Sequence, residues 1–347
     1  MLKINGVVTA LFTPMFSDGK IDYRSLESLI DYNVTNKVGV LSAGTTSESP
    51  TIPKEQERID NIVVSRAQGK VPVIIGAGTN DTEHSVNLTK RAIGNGADAT
   101  LHVMGYYNKP TQRGVVDYFD RIAAISPINA VIMYHIPGRG AAEYRPEVIA
   151  ALACDHPNIN ALKEASPKNV EFATEVRKLM DQYGIDFSIM SGDDDATFRM
   201  IREARGDGVI SVMSNLLPHM YSKLVIHARE GNPEAAALNQ TLEPLNKIVG
   251  MKARDQVEIN GKVYEFEDTY RNPHSVKTAA FILGITPHLG FRSPLTRMPE
   301  EGVRTVGRAL WQVYEATDGE AFRPLQEFFR PIPNVGDRLM QFRRCNG

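Results

Sequence analysis

Eight short apolar runs, rich in β-branched residues, recur along the first two thirds of the chain: 7–12, 38–42, 71–75, 99–104, 130–134, 159–162, 187–190 and 208–212. Their spacing of about 20–35 residues is that of one strand–helix unit. Runs that are continuously apolar, with no alternation, are what strands buried on both faces require. Helical patterns lie between them. Segment 25–35 places Leu26, Leu29, Ile30 and Val34 on one face, and 81–95 does the same with Val86, Leu88, Ala92 and Ile93 after the capping candidates Asn80 and Asp81. The expectation is an α/β chain, a (β/α)₈ TIM barrel over 1–216. An open doubly wound sheet is the alternative, but no G-x-G-x-x-G follows the first run.

After residue 216 the pattern changes. Segments 217–230, 233–249, 275–283 and 301–316 read as helices, so 217–347 is expected to be a C-terminal helical appendage. Within it, the charge-dense insert 251–271 carries Asn260-Gly261 between 257–259 and 262–266, the signal of a small hairpin. The tail 317–347, with Pro324, Pro331 and Pro333, reads as mostly irregular.

Charge narrows the function classes. Acidic and basic residues nearly cancel, 41 against 39, and no basic stripe points to nucleic acid or to a membrane surface. No stretch approaches the roughly 18 apolar residues of a membrane span. The first run stops at Thr13-Pro14, too soon for a secretory core. Two cysteines, Cys154 and Cys345, suit a reducing compartment, so a cytoplasmic protein is expected.

In such a barrel the reactive groups stand at the C-terminal ends of the strands. Lys163 ends the sixth run. Desolvation there lowers an amine's pKa, and a neutral amine can condense with a ketone to an imine that serves as an electron sink. The plainer reading leaves Lys163 exposed and paired with Glu164 or with an acidic loop. Tyr134 ends the neighbouring run, close enough to exchange protons with an imine, though a tyrosine there also suits core packing. Arg139 follows a Pro-Gly turn at the same end. Its planar fork suits a carboxylate, and a loop salt bridge would use it as well. Thr45 and Thr46 either cap the next helix or face the mouth. Together these groups suit imine chemistry on an oxo-acid. Asp193, Asp194 and Asp195 read as acids at a helix start, the histidines lack tight ligand spacing, and no G-x-S-x-G elbow occurs. Neither a metal site nor a serine nucleophile is expected.

Eight motifs in order now carry a family resemblance. They are Gly44-Thr45-Thr46-Ser47-Glu48-Ser49, Tyr106-Tyr107-Asn108-Lys109-Pro110, Tyr134-His135-Ile136-Pro137-Gly138-Arg139, Lys163-Glu164-Ala165-Ser166 and Ser191-Gly192-Asp193-Asp194, followed by 208–212, Asn272-Pro273 with Val276-Lys277, and Arg292-Ser293-Pro294-Leu295. Over roughly 3–316 the chain resembles the dihydrodipicolinate synthase / N-acetylneuraminate lyase family of class I aldolases. The resemblance implies a lyase with pyruvate held as a Schiff base on Lys163 and no other cofactor. Tyr134, Thr46 and Tyr107 would form a proton relay, with Tyr107 reaching a neighbouring subunit's site in a homotetramer or homodimer. Thr45 with Thr46 would bind the pyruvate carboxylate and Arg139 the second substrate's carboxylate, with the backbones of Gly192 and Ile210 lining the pocket. The enamine would condense with an aldehyde, aspartate 4-semialdehyde in the synthase branch, giving 4-hydroxy-tetrahydrodipicolinate for lysine and diaminopimelate synthesis. The alternatives are another pyruvate-dependent aldolase or dehydratase acting on an oxo-sugar acid or related 2-oxo acid, and an idle oxo-acid-binding barrel. Ser47, His135 and Gly140 depart from the usual glycine, asparagine and threonine, and are expected to touch the second-substrate side. The synthase's lysine-effector site would map onto Ser49, Asn80, His84 and Tyr106, with Lys54 and Glu57 nearby. His84 stands in place of an acid, so weak or absent lysine feedback is expected.

Overall fold

The computed structural model describes residues 2–329 and 334–343. All eight apolar runs are strands: β1 (Gly6–Ala10), β2 (Gly39–Ser42), β3 (Val73–Gly76), β4 (Ala99–His102), β5 (Ala130–His135), β6 (Ile159–Glu164), β7 (Ser188–Ser191) and β8 (Gly208–Ser211). They pair in parallel in sequence order, and β8 returns to β1 with Ile210 opposite Val8, so the sheet is a closed barrel. The open sheet is thereby set aside. Val8, Leu41, Ile74, Leu101, Ile132, Ala161, Met190 and Ile210 fill the interior.

Helices α1 (Tyr23–Thr35), α2 (Gln56–Ala67), α3 (Thr82–Gly94), α4 (Gln112–Ala123), the single turn α5 (Pro137–Gly140), α6 (Pro146–Asp155), α7 (Asn169–Tyr183), α8 (Thr197–Ala204) and α9 (Pro218–Glu230) wrap it. Their starts follow local chemistry. Asp22 accepts from the Ser25 N–H, and Asp81 accepts from those of Glu83 and His84, satisfying first-turn donors. Helices α10 (Glu234–Lys247), α11 (His274–Leu283) and α12 (Glu300–Ala316) pack as the expected C-terminal group. No helix among the described residues is long and apolar enough to cross a membrane.

Three segments differ from the sequence reading, the first being 218–230, expected in the appendage but folded as α9 against β1 and α8 of the barrel. The hairpin is a long ribbon, β9 (Gly250–Ile259) against β10 (Lys262–Arg271), paired from Ile259–Lys262 down to Gly250–Arg271. Asn260 and Gly261 both hold positive φ in its turn, as a tight two-residue hairpin needs. Its full length is hidden in the sequence because charged and polar residues dominate one face, where Lys252 bonds Glu267 at 2.8 Å. The described part of the tail is mostly short helix, including α13 (Arg323–Phe328) and α14 (Val335–Leu339). Pro324 sits in the first turn of α13, where a missing N–H costs nothing, and Phe322, Leu325, Val335 and Leu339 are buried. Pro331, Pro333 and Cys345 lie outside the described residues.

Candidate active site

Strand register decides which side chains meet at the mouth. Tyr134 and Lys163 are partners across β5 and β6, and His135 and Glu164 are partners one step on. Alternation sends the first row into the barrel and the second toward the helices. Glu164 is therefore not the partner of Lys163. It accepts from the Ser166 N–H at 2.6 Å and bonds the His135 ring at 2.7 Å. That ring is itself stacked between Phe172 and Tyr144.

Lys163 is 6% exposed, and its Nζ lies 4.3 Å from the Tyr134 ring centre. No carboxylate of the described residues comes within salt-bridge range of it. Burial pulls its pKa down to about 8, Arg139 adds to the fall, and the charges of Asp193 and Asp194 oppose it. At pH 7 about one molecule in ten then carries a free amine, against about one in 3,000 for an ordinary lysine. Burial likewise pushes the Tyr134 phenol well above its usual range, with the Asp193 charge adding to the rise and Arg139 opposing it. The phenol thus keeps its proton at neutral pH.

The Thr45 hydroxyl, beside the Tyr134 phenol, also works against that rise. Thr46, the buried neighbour, instead accepts a hydrogen bond from Asn272 Nδ2 at 2.9 Å. Arg139 Nη2 donates to the Asn272 carbonyl at 3.3 Å. Asn272 thus ties together two groups that the sequence reading had placed at the mouth, while its own Oδ1 is buried without a partner. Thr45, Thr46, Tyr134, Arg139, Lys163 and Asn272 all line one cavity of about 840 Å³.

Gly192 and Ile210 stand behind this wall. A Cβ at Gly192 would fall 2.7 Å from Ala165 Cβ and 3.2 Å from Lys163 Cε, so the close approach of β7 to the lysine requires glycine. Ile210 is fully buried in the interior cluster that includes Tyr134. Tyr107 is not brought to the cavity of its own chain; it is 91% exposed, at φ 74°. Ser49, Asn80, His84 and Tyr106 also line the cavity, whereas Lys54 and Glu57 line a separate surface cleft.

The three departures do not face the cavity as expected. Ser47 donates its hydroxyl to the Leu11 carbonyl at 2.7 Å, pinning the β2 loop to the end of β1. His135 is on the outward row, and Gly140 is buried against Met104 and Val103. Strand alternation and loop packing turn all three away from the mouth.

The acidic run does more than start a helix. Asp194 accepts the Val212 and Met213 N–H groups, both at 3.0 Å, joining the ends of β7 and β8. Burial and the Asp195 charge raise Asp193 to about 6 beside Lys163. A second buried lysine, Lys277 of α11, pairs with Glu48 in the loop after β2. Asn272, Asp193 and the Glu48–Lys277 pair were not singled out as site residues from sequence. Asp193 carried the signal of its adjacency to a strand end, and Glu48, Asn272 and Lys277 stood within the resemblance motifs with no role assigned to them.

The Dihydrodipicolinate synthetase family profile matches residues 3–313. A 4-hydroxy-tetrahydrodipicolinate synthase of Coxiella burnetii is 37% identical over 313 residues, covering 89% of this chain and 98% of the relative. The crystal structure of dihydrodipicolinate synthase from Thermotoga maritima superposes with a TM-score of 0.78 at 34% identity, covering 89% of this chain and 98% of that one. The 4-hydroxy-tetrahydrodipicolinate synthase of Methylacidiphilum fumariolicum SolV gives a TM-score of 0.80 at 31% identity, covering 93% and 99%.

Proposed function

This chain belongs to the dihydrodipicolinate synthetase family, and from that premise we propose that it condenses pyruvate with aspartate 4-semialdehyde through a Schiff base on Lys163. The carrying observation is a lysine buried without a carboxylate partner, 4.3 Å from a tyrosine ring, in a cavity that also holds an arginine.

The free amine of Lys163 attacks the pyruvate ketone, and loss of water leaves the imine. The Thr46 hydroxyl already accepts from Asn272, which leaves its own proton to donate to the pyruvate carboxylate, with Thr45 beside it. Removal of a proton from the pyruvate methyl group gives the enamine, and Tyr134 is the carrier within reach. Thr45, whose hydroxyl acts on the Tyr134 phenol, joins Thr46 as a candidate threonine of the relay. The enamine carbon attacks the aldehyde carbon, whose oxygen takes up a proton and becomes a hydroxyl. The substrate's own amine then displaces Lys163 from the imine carbon, closing the ring and freeing the lysine. Arg139 holds the second substrate's carboxylate, and the backbone at Gly192 lets the lysine reach the centre.

Tyr107 completes the relay in a neighbouring copy. A bulky residue at positive φ is strained, and strain of this kind gathers where a partner or substrate uses it. The assembly is accordingly a homotetramer or homodimer, working in the cytoplasm. Turnover of pyruvate with aspartate semialdehyde, against cleavage of 2-oxo acids that releases pyruvate, decides between the synthase and an oxo-sugar-acid aldolase. Preference for the cleavage reaction would overturn the choice of second substrate.

A further inference from the structure

We propose that the β9–β10 ribbon is a self-association surface, its apolar face packing against the same face of a second copy of this chain across a two-fold axis. Directly paired residues of an antiparallel ribbon share a face. One face therefore carries the rows Met251–Tyr270, Ala253–Asp268, Asp255–Phe266, Val257–Tyr264 and Ile259–Lys262. The other carries Lys252–Thr269, Arg254–Glu267, Gln256–Glu265 and Glu258–Val263.

The first face begins as core. Met251, Ala253 and Tyr270 are buried. It then continues outward through Phe266 at 39% exposure, Val257 at 41%, Tyr264 at 44% and Ile259 at 54%. The stripe runs on past the point where its own chain covers it, and an isolated two-stranded ribbon is marginal in water.

The charges on this face identify the occupant. Lys262 stands one row beyond the Val257–Tyr264 row and Asp255 one row before it. Same-face rows lie about 7 Å apart. A two-fold axis through the Val257–Tyr264 row therefore sets each Lys262 over the other copy's Asp255, with Tyr264 meeting its own counterpart. Such self-complementarity is what an isologous contact requires. The opposite face is mostly polar, with Val263 its one exposed apolar side chain and Lys252 bonded to Glu267, while Asp255 accepts from the Tyr270 hydroxyl and keeps further lone pairs for Lys262.

Four half-exposed side chains are less than a stable dimer interface buries, so the contact is weak and is read by cross-linking. The test uses the full chain with Cys154→Ser and Cys345→Ser, and adds Tyr264→Cys. Oxidation should give a cross-linked dimer, whereas Glu265→Cys on the polar face should give at least about tenfold less. Adding Lys262→Asp or Asp255→Lys alone should lower the Tyr264→Cys yield about fivefold, and the two together should restore it. No cross-link from Tyr264→Cys, an equal yield from Glu265→Cys, or a yield indifferent to the charge reversals would overturn the proposal.

Discussion

Two lysines are buried at the barrel mouth, and they are buried in different ways. Lys277, 3% exposed, points at Glu48, itself fully buried, and the pair ties α11 to the loop that carries Thr45 and Thr46. Lys163, 6% exposed, has an aromatic face and no carboxylate of the described residues at contact distance. Burial lowers both pKa values, but at Lys277 the Glu48 charge works against the fall at close range. A buried ammonium with a partner is a strut. One without a partner gives up its proton and becomes a nucleophile.

The contrast breaks most visibly at Lys163. Lys163→Ala should abolish turnover of pyruvate with the aldehyde in a steady-state assay. Lys163→Met should also stabilise the fold at pH 7, because a fall from 10.5 to about 8 corresponds to about 3 kcal/mol spent on a buried charge. The folded state holds this proton less tightly than the unfolded chain. Wild-type stability therefore rises between pH 8 and 10.5, and the advantage of Lys163→Met, complete below pH 8, fades across that window. Denaturant unfolding at pH 7 and pH 10 measures both effects.

Tyr134→Phe keeps the ring beside Lys163 and removes the hydroxyl. It should lower kcat about 10²–10⁴-fold while the protein still forms a borohydride-reducible adduct. An unchanged rate would remove the hydroxyl from the relay.

At the other lysine, Lys277→Met should destabilise the fold by about 3–5 kcal/mol, since Glu48 is left buried and charged. Glu48→Gln combined with Lys277→Met should recover most of that loss in the same unfolding experiment. The opposite sign of the two Lys→Met effects is the sharpest form of the comparison.

Asn272→Ala removes one hydrogen bond to Thr46. It should raise KM for pyruvate about three- to tenfold and leave the unfolding midpoint nearly unchanged. The smallest effect is expected from lysine itself. With His84 in the cavity wall, millimolar lysine should leave the rate unchanged, and clear inhibition well below substrate concentrations would refute this.

Much of this was legible in the sequence because parallel barrel strands are continuously apolar and end abruptly in polar residues. That boundary located Tyr134, Lys163, Thr45 and Arg139 with no knowledge of the fold's interior. What was hidden depends on direction or on distance. Ser47 and His135 were expected at the pocket because they depart from the family pattern, yet one step along β5 turns His135 outward and the loop after β2 turns Ser47 to the Leu11 carbonyl. Asn272 reaches Thr46 across 226 residues, and no local pattern announces such a bond. The ribbon's extent was masked by its polar, charge-rich face, and the short helix α13 by Pro324, which sits at its start.

Reduction with borohydride in the presence of pyruvate, followed by peptide mass spectrometry across pH 6–10.5, tests the account most directly. The reduced imine should appear on Lys163 and not on Lys277, and its initial rate should climb with pH and level off near 8. An adduct on Lys277, no adduct at all, or a rate still rising steeply above pH 9.5 would contradict the claim that Lys163 is the buried amine without a partner.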